Sequence, residues 1–209
     1  MFLHRGLPKG KILFIGDSIT DAGRRKDKEE IGKGYVKLIR DYYVQHELQA
    51  FICNKGVSGN RVTDLADRWE KDVIRENPDV VSISIGINDV WRQLDSPGIK
   101  QVLPDEFKEV YTHLLLETTE KTSARLILME PTIIEEDLQS EGNRKLAPYI
   151  TVIRDLAEKF QAKLIPSHVA FLEDLKQSDR TALTTDGVHL TSRGSRLLAD
   201  TWMKSAAGM

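Results

Sequence analysis

A chain of 209 residues, 40% hydrophobic and 30% charged, has enough apolar material for a packed core and too much for global disorder. Its 30 basic and 32 acidic side chains leave a net charge of −2, which gives no electrostatic footprint for nucleic acid or an anionic membrane surface. Cys53 is the sole cysteine, so a disulfide framework is excluded. A single domain over residues 1–209 is expected. Residues 1–10 lack the apolar stretch of a secretory signal, and no window approaches 18 apolar residues, so the expected location is cytoplasmic.

Short apolar runs then alternate with amphipathic segments. Residues 11–15 read as a strand stopped by Gly16. The basic cluster Arg24-Arg25-Lys26-Asp27-Lys28, followed by Glu29-Glu30, reads as a solvated loop. Residues 35–46 carry apolar side chains at helical spacing. A second strand is expected over 50–53, with Cys53 as a small buried hydrophobe. The spacing predicts a helix over 62–76, capped by Thr63 or Asp64. Residues 80–85 give the strongest strand signal, ended by Gly86. A helix follows over 105–121, with Phe107, Val110, Tyr111, Leu114 and Leu115 on one face. A fourth strand is expected over 125–129, stopped by Pro131. The next helix is expected over 146–161, because Pro148 is tolerable only within a first turn. A fifth strand over 163–165 and helices over 169–177 and 191–203 complete the chain.

Five strands alternating with helices argue for a parallel sheet covered on both faces, a three-layer α/β/α sandwich. A flavodoxin-like strand order of 2-1-3-4-5 is expected. Ligands in such sheets bind beyond the carboxyl ends of the strands, near the point where strand order reverses.

Chemistry-bearing residues fall at those strand ends. Gly16-Asp17-Ser18-Ile19-Thr20 follows the first strand and can present the Ser18 hydroxyl with its own amide. Gly-Asp-Ser is also an ordinary turn tripeptide, and Thr20 fails the Gly-x-Ser-x-Gly pattern of another hydrolase fold. Asn54-Lys55-Gly56-Val57-Ser58-Gly59-Asn60 follows the second strand, and Gly86-Ile87-Asn88-Asp89 the third. Backbone amides near glycine and the Asn88 carboxamide are candidate oxyanion donors. Asp186-Gly187-Val188-His189 sets a carboxylate and an imidazole three residues apart. The carboxylate can bind one ring nitrogen while the other faces a serine. His4, His46, His113 and His168 have no such partner and read as surface or structural.

Taken together, Gly16-Asp17-Ser18, Gly59, Gly86-Ile87-Asn88-Asp89 and Asp186-Gly187-Val188-His189 resemble the four sequence blocks of the SGNH (GDSL-type) hydrolases. They stand in that family's order and span nearly the whole chain. The resemblance implies a hydrolase without metal or organic cofactor. Ser18 would be its nucleophile, His189 its general base and then acid, and Asp186 the residue orienting His189. The amides of Ser18 and Gly59 and the side chain of Asn88 would form the oxyanion hole. Asp17, Ile19, Trp91 and Arg92 are expected to contact substrate.

The runs 86–93, 54–60 and Asp67-Arg68-Trp69 resemble the intracellular acetylxylan esterases of this family. That points to a short acyl ester, expected to be acetyl, on a carbohydrate such as a xylo-oligosaccharide, with Trp91 stacking on a sugar face or packing in a loop. Thr185 departs from the aromatic residue expected before the catalytic aspartate of those enzymes. A homo-oligomer is the assembly the resemblance implies. Nucleic acid and membrane are not expected partners. Lysophospholipid or acyl-thioester hydrolysis uses the same serine chemistry and stays open. So do a non-catalytic flavodoxin-like binding module and a metal-dependent phosphohydrolase using Asp17, Asp21 and Asp89.

Overall fold

The computed structural model describes residues 6–177 and 182–209, so His4 lies outside the described residues. Five parallel strands form one sheet in the order β2-β1-β3-β4-β5: β1 Gly10–Gly16, β2 Ala50–Asn54, β3 Val80–Ser84, β4 Arg125–Met129 and β5 Lys163–Ile165. This is the expected order. The three central strands are covered on both faces, and every residue of β3 is buried, which is why their sequences are runs rather than alternations.

Eight α-helices stand among the described residues: α1 Ser18–Asp21, α2 Tyr35–Gln45, α3 Val62–Trp69, α4 Ile87–Asp95, α5 Pro104–Lys121, α6 Glu141–Lys159, α7 Ser167–Leu175 and α8 Ser192–Ala206. Helices α2, α7 and α8 pack together as one layer, and α3, α4, α5 and α6 as the other. Each layer anchors a tryptophan whose ring nitrogen finds a partner. Trp202 donates to Ser82 Oγ at 3.0 Å and packs at a tilt against Phe14; Trp69 donates to Thr118 Oγ1 at 3.0 Å. Among the described residues no helix is long and apolar enough to cross a membrane.

Four local expectations need correction. Helix α6 begins at Glu141, where Ser140 caps it by accepting from the Asn143 amide at 3.0 Å. Pro148 therefore sits inside the helix rather than in its first turn, and the ladder runs on past the rung it removes. The helix expected over 62–76 is α-helical only to Trp69 and continues as a π turn, Glu70–Ile74. Its N-cap is Arg61; Asp64 acts from inside, accepting from the Arg61 amide at 2.7 Å, and Thr63 takes no part in the cap. The basic cluster is not a free solvated loop: Arg24 donates to the Gly56 carbonyl at 2.6 Å, and Arg25 pairs with Asp21 at 3.1 Å. Cys53 is half-buried rather than fully enclosed, and burial raises its thiol pKa.

Helix α4 was not expected at all. Strand register makes it consequential, because Gly16 pairs with Ser84 and the chain leaves β1 and β3 at the same level. Strand order reverses there, with β1 flanked by β2 and β3.

Candidate active site

At Gly16 a Cβ would meet the Ser84 carbonyl oxygen at 2.1 Å, so only glycine lets the ends of β1 and β3 approach this closely. The chain then makes a single helical turn, α1. Asp17 caps it by accepting from the Ile19 amide at 3.0 Å, and Ala22 closes it at φ +41°. Ser18 is the first helical residue, a position whose amide has no intrahelical carbonyl to bind. It is half-buried while Asp17, Ile19, Thr20 and Asp21 are buried, so the turn lifts Ser18 towards solvent.

The loop after β2 is tied to that turn. The buried Asn54 carboxamide donates to the carbonyls of Thr20 at 2.6 Å and Ile31 at 2.9 Å, and accepts from the Gly56 amide at 2.8 Å. Asp21 accepts from the Ser58 amide at 3.1 Å and hydroxyl at 2.9 Å. Burial works to raise the Asp21 carboxyl, but the Ser58 hydrogen bonds and Arg25 outweigh it and hold its pKa down. Gly59 follows at φ +85°, a backbone conformation that favours glycine. From α3, Arg68 gathers the Gly16 carbonyl at 3.1 Å, the Lys55 carbonyl at 2.8 Å and Asn60 Oδ1 at 2.8 Å, while pairing with Asp72. One guanidinium thus ties the ends of β1 and β2 together.

Asn88 and Asp89 stand in the first turn of α4. Asn88 Nδ2 donates to the Asn60 carbonyl at 3.1 Å, which leaves its second amide hydrogen for the cleft it lines. The Asp89 carboxylate is wholly buried and accepts from the Val62 amide at 3.2 and 3.3 Å, satisfying the start of α3. Trp91 is on this helix, not in a loop. Arg92 pairs with Asp95 at 2.7 Å.

The last block closes on itself. Asp186 Oδ2 meets His189 Nδ1 at 2.6 Å, and Oδ1 accepts from the amides of Val188 at 3.1 Å and His189 at 2.8 Å. Burial pushes the Asp186 carboxyl upward, but those bonds prevail and its pKa lies below the ordinary carboxylate value. Asp186 is thus ionised at neutral pH. The segment is pinned from outside by Glu136, whose carboxylate accepts from the amides of Leu183 at 2.8 Å and Thr184 at 2.6 Å, and by the Glu135 amide donating to the Gly187 carbonyl at 2.7 Å.

Two clefts meet at Ser18 and His189. One, of about 220 Å³, is lined by Ser18, Gly59, Asn88, Trp91, Arg92, Asp186, Val188 and His189. The other, of about 310 Å³, holds Ile19. Eight of the nine residues singled out in the sequence therefore share one site. Asp17 is the exception and a correction: it is 1% exposed, lines neither cleft, and spends its carboxylate on the turn. His168 is structural, with Nδ1 2.6 Å from the Thr132 carbonyl, and burial lowers its pKa. Among the described residues no group of three or more His, Cys, Asp or Glu side chains could hold a metal ion. Asp17 and Asp89 are turned to backbone amides and Asp21 to Ser58 and Arg25, which argues against the phosphohydrolase alternative.

Burial raises the Asp17 carboxyl to about 7, tempered by the Ile19 amide and the nearby His189 charge. Burial raises Asp89 similarly to about 7. The folded state then holds protons that the unfolded chain releases near 3.8, so these groups lower stability as pH rises from there to about 7. Asp17→Asn, which keeps an acceptor for Ile19, is expected to flatten that fall. Urea titrations of both proteins across this range check it, and parallel pH profiles would contradict it.

Arg68, Asp21 and Glu136 support the site but were not singled out for it. Arg68 carries no signal in the sequence beyond a resemblance, and Glu136 sits in an acidic run, Glu135-Glu136-Asp137, that looks like any solvated loop.

The sequence profile of the GDSL-like lipase/acylhydrolase family matches residues 14–197. An acetylxylan esterase from Geobacillus stearothermophilus is 41% identical over 203 residues, covering 93% of this chain and 92% of that protein. The crystal structure of Axe2, an acetylxylan esterase from the same organism, superposes with a TM-score of 0.87 at 39% identity, covering 99% of this chain and 96% of that one. Catalytic mutants of Axe2 replace a serine, and an aspartate and a histidine three positions apart, each by alanine. LAE5, an alpha/beta hydrolase enzyme from the metagenome of Lake Arreo, Spain, gives a TM-score of 0.89 at 32% identity, covering 98% of this chain and 97% of that one.

Proposed function

The chain belongs to the GDSL-like lipase/acylhydrolase family, and on that footing we propose that it is a serine esterase that removes acetyl groups from xylo-oligosaccharides. The observation that carries this reading is the convergence of Ser18, His189, Asp186, Gly59 and Asn88 on one small cleft. The similarity to acetylxylan esterases over more than nine-tenths of the chain supports the substrate class.

The geometry suits a double displacement. Asp186 accepts a hydrogen bond from the Nδ1–H of His189, which leaves Nε2 to receive the Ser18 proton. Nucleophile–base contacts are commonly long in free enzymes and tighten when substrate binds. Ser18 Oγ attacks the ester carbonyl, and its oxygen, now negative, is held by the amides of Ser18 and Gly59 and by the free hydrogen of Asn88 Nδ2. His189 hands its proton to the leaving alcohol. It then activates the water that releases acetate from Ser18. The cleft of about 220 Å³ is shared with Trp91 and Arg92. Trp91 would carry a sugar face, and Arg92 would bind hydroxyls.

Acetate release from acetylated xylo-oligosaccharides, set beside hydrolysis of p-nitrophenyl acetate, butyrate and octanoate, tests the reading. Turnover of the sugars with preference for the shortest nitrophenyl ester is expected. Preference for octanoate with the sugars untouched would overturn the substrate and leave the mechanism. Removing one oxyanion donor, Asn88→Ala, is expected to lower kcat by about 10²–10³-fold with little change in KM. An unchanged kcat would remove Asn88 from the oxyanion hole. Thermal unfolding checks that loss of its bond to Asn60 has not loosened the loop.

A further inference from the structure

Two clefts share Ser18 and His189. Because Gly59 and Asn88 line only the smaller one, the ester carbonyl belongs there. A ring acetylated within an oligosaccharide has neighbouring rings on both sides. The larger cleft, which shares Ser18 and His189, is open to one of them.

That larger cleft has its own chemistry. Lys33 lines it and makes no ion pair among the described residues, and no Asp or Glu side chain lines it. The loop carrying Lys33 is held in place: its amide donates to the Ala22 carbonyl at 3.0 Å, and Asp27 accepts from the amides of Ile31 and Gly32. The N-terminus of α8, a helix of 15 residues whose dipole presents positive charge there, also borders the cleft. Thr191 caps it through the Gly194 amide at 3.1 Å, and Ser192 and Ser195 line the wall. Ser195 is decisive. It is only 7% exposed, it lines the cleft, and its hydroxyl has no hydrogen-bond partner among the described residues. That hydroxyl is free to meet a ligand that enters the cleft.

We propose that this cleft is a subsite for a carboxylate carried by the saccharide, as on a uronic acid residue, bound by Lys33, the Ser195 hydroxyl and the amino end of α8. The subsite deepens the oligosaccharide reading and rests on it for its biological meaning. Its binding can be measured without turnover. The enzyme would then favour acetylated oligosaccharides bearing an acidic side group over neutral ones.

Isothermal titration calorimetry of the wild-type protein with two unacetylated ligands, a glucuronosyl xylo-oligosaccharide and the neutral xylo-oligosaccharide of equal length, tests this directly. The acidic ligand is expected to bind about tenfold more tightly at low salt, with the preference shrinking as salt rises. Lys33→Gln should erase the preference while leaving neutral binding and p-nitrophenyl acetate hydrolysis unchanged, and Ser195→Ala should reduce it. Equal affinities, binding of neither ligand, or a preference indifferent to Lys33→Gln would each overturn the subsite. Acetate ion is the control for a simple anion site: competition by acetate as effective as by the acidic sugar would also overturn it. Failure of the esterase reading shows separately, as absence of p-nitrophenyl acetate turnover.

Discussion

Replacing Ser18 with alanine is expected to lower kcat on p-nitrophenyl acetate and on acetylated xylo-oligosaccharides by about 10⁴-fold or more, with thermal stability nearly unchanged. The size of the effect follows from what the hydroxyl does. Without it no acyl-enzyme forms, and water must attack the ester directly in a cleft shaped for a fixed nucleophile. Stability should survive because Ser18 is half-buried and its turn is held by other groups: the Asp17 cap, the Asn54 carboxamide on the Thr20 carbonyl and Asp21 on Ser58. The double variant Ser18→Ala, His189→Ala should be scarcely slower than the single one, since groups acting as a unit do not lose activity additively. Losses that multiply would show that His189 acts through something other than Ser18.

Asp186→Asn is expected to cost about 10⁴-fold in kcat, the second largest effect. The carboxylate holds His189 Nδ1 at 2.6 Å and is kept ionised by two backbone amides and the imidazole. An asparagine can still accept from those amides, so the turn over residues 186–189 should keep its shape. The amide nitrogen then faces Nδ1 and donates to it, which moves the ring hydrogen to Nε2, where it can no longer accept the Ser18 proton. Burst kinetics with p-nitrophenyl acetate separate this from a folding defect, because acylation slows while Tm stays near the wild-type value. A loss below tenfold would mean that another group orients His189.

What was legible in the sequence followed from how each signal is written. The doubly covered central strands are written as uninterrupted apolar runs and the two edge strands as shorter ones, so all five are readable from local pattern, while their order follows only from the flavodoxin-like class. The strand-end blocks were readable because Gly, Asn, Asp and Ser cluster where the chain must turn and expose chemistry. Helix α4 was missed for the same reason: Gly86, Asn88 and Asp89 look like turn residues and mask Ile87, Val90, Trp91 and Leu94, which have helical spacing. Helix α6 begins earlier than Pro148 suggests, because Ser140 caps it at Glu141 and burial of Leu146, Tyr149 and Ile153 against the core outweighs one missing rung. Arg68 and Glu136 were illegible as supports of the site. Their partners are backbone carbonyls and amides up to 52 and 48 residues away, and no spacing rule records a contact made through the fold.

Covalent capture tests the central claim most directly. The wild-type protein is treated with an organophosphonate ester, and its intact mass and peptides are read by mass spectrometry. One phosphonyl adduct on Ser18 is expected, formed in step with loss of esterase activity, absent from Ser18→Ala and strongly slowed in His189→Ala. A protein that stays unmodified, or one labelled elsewhere while Ser18→Ala keeps its turnover, would contradict a serine esterase working through Ser18.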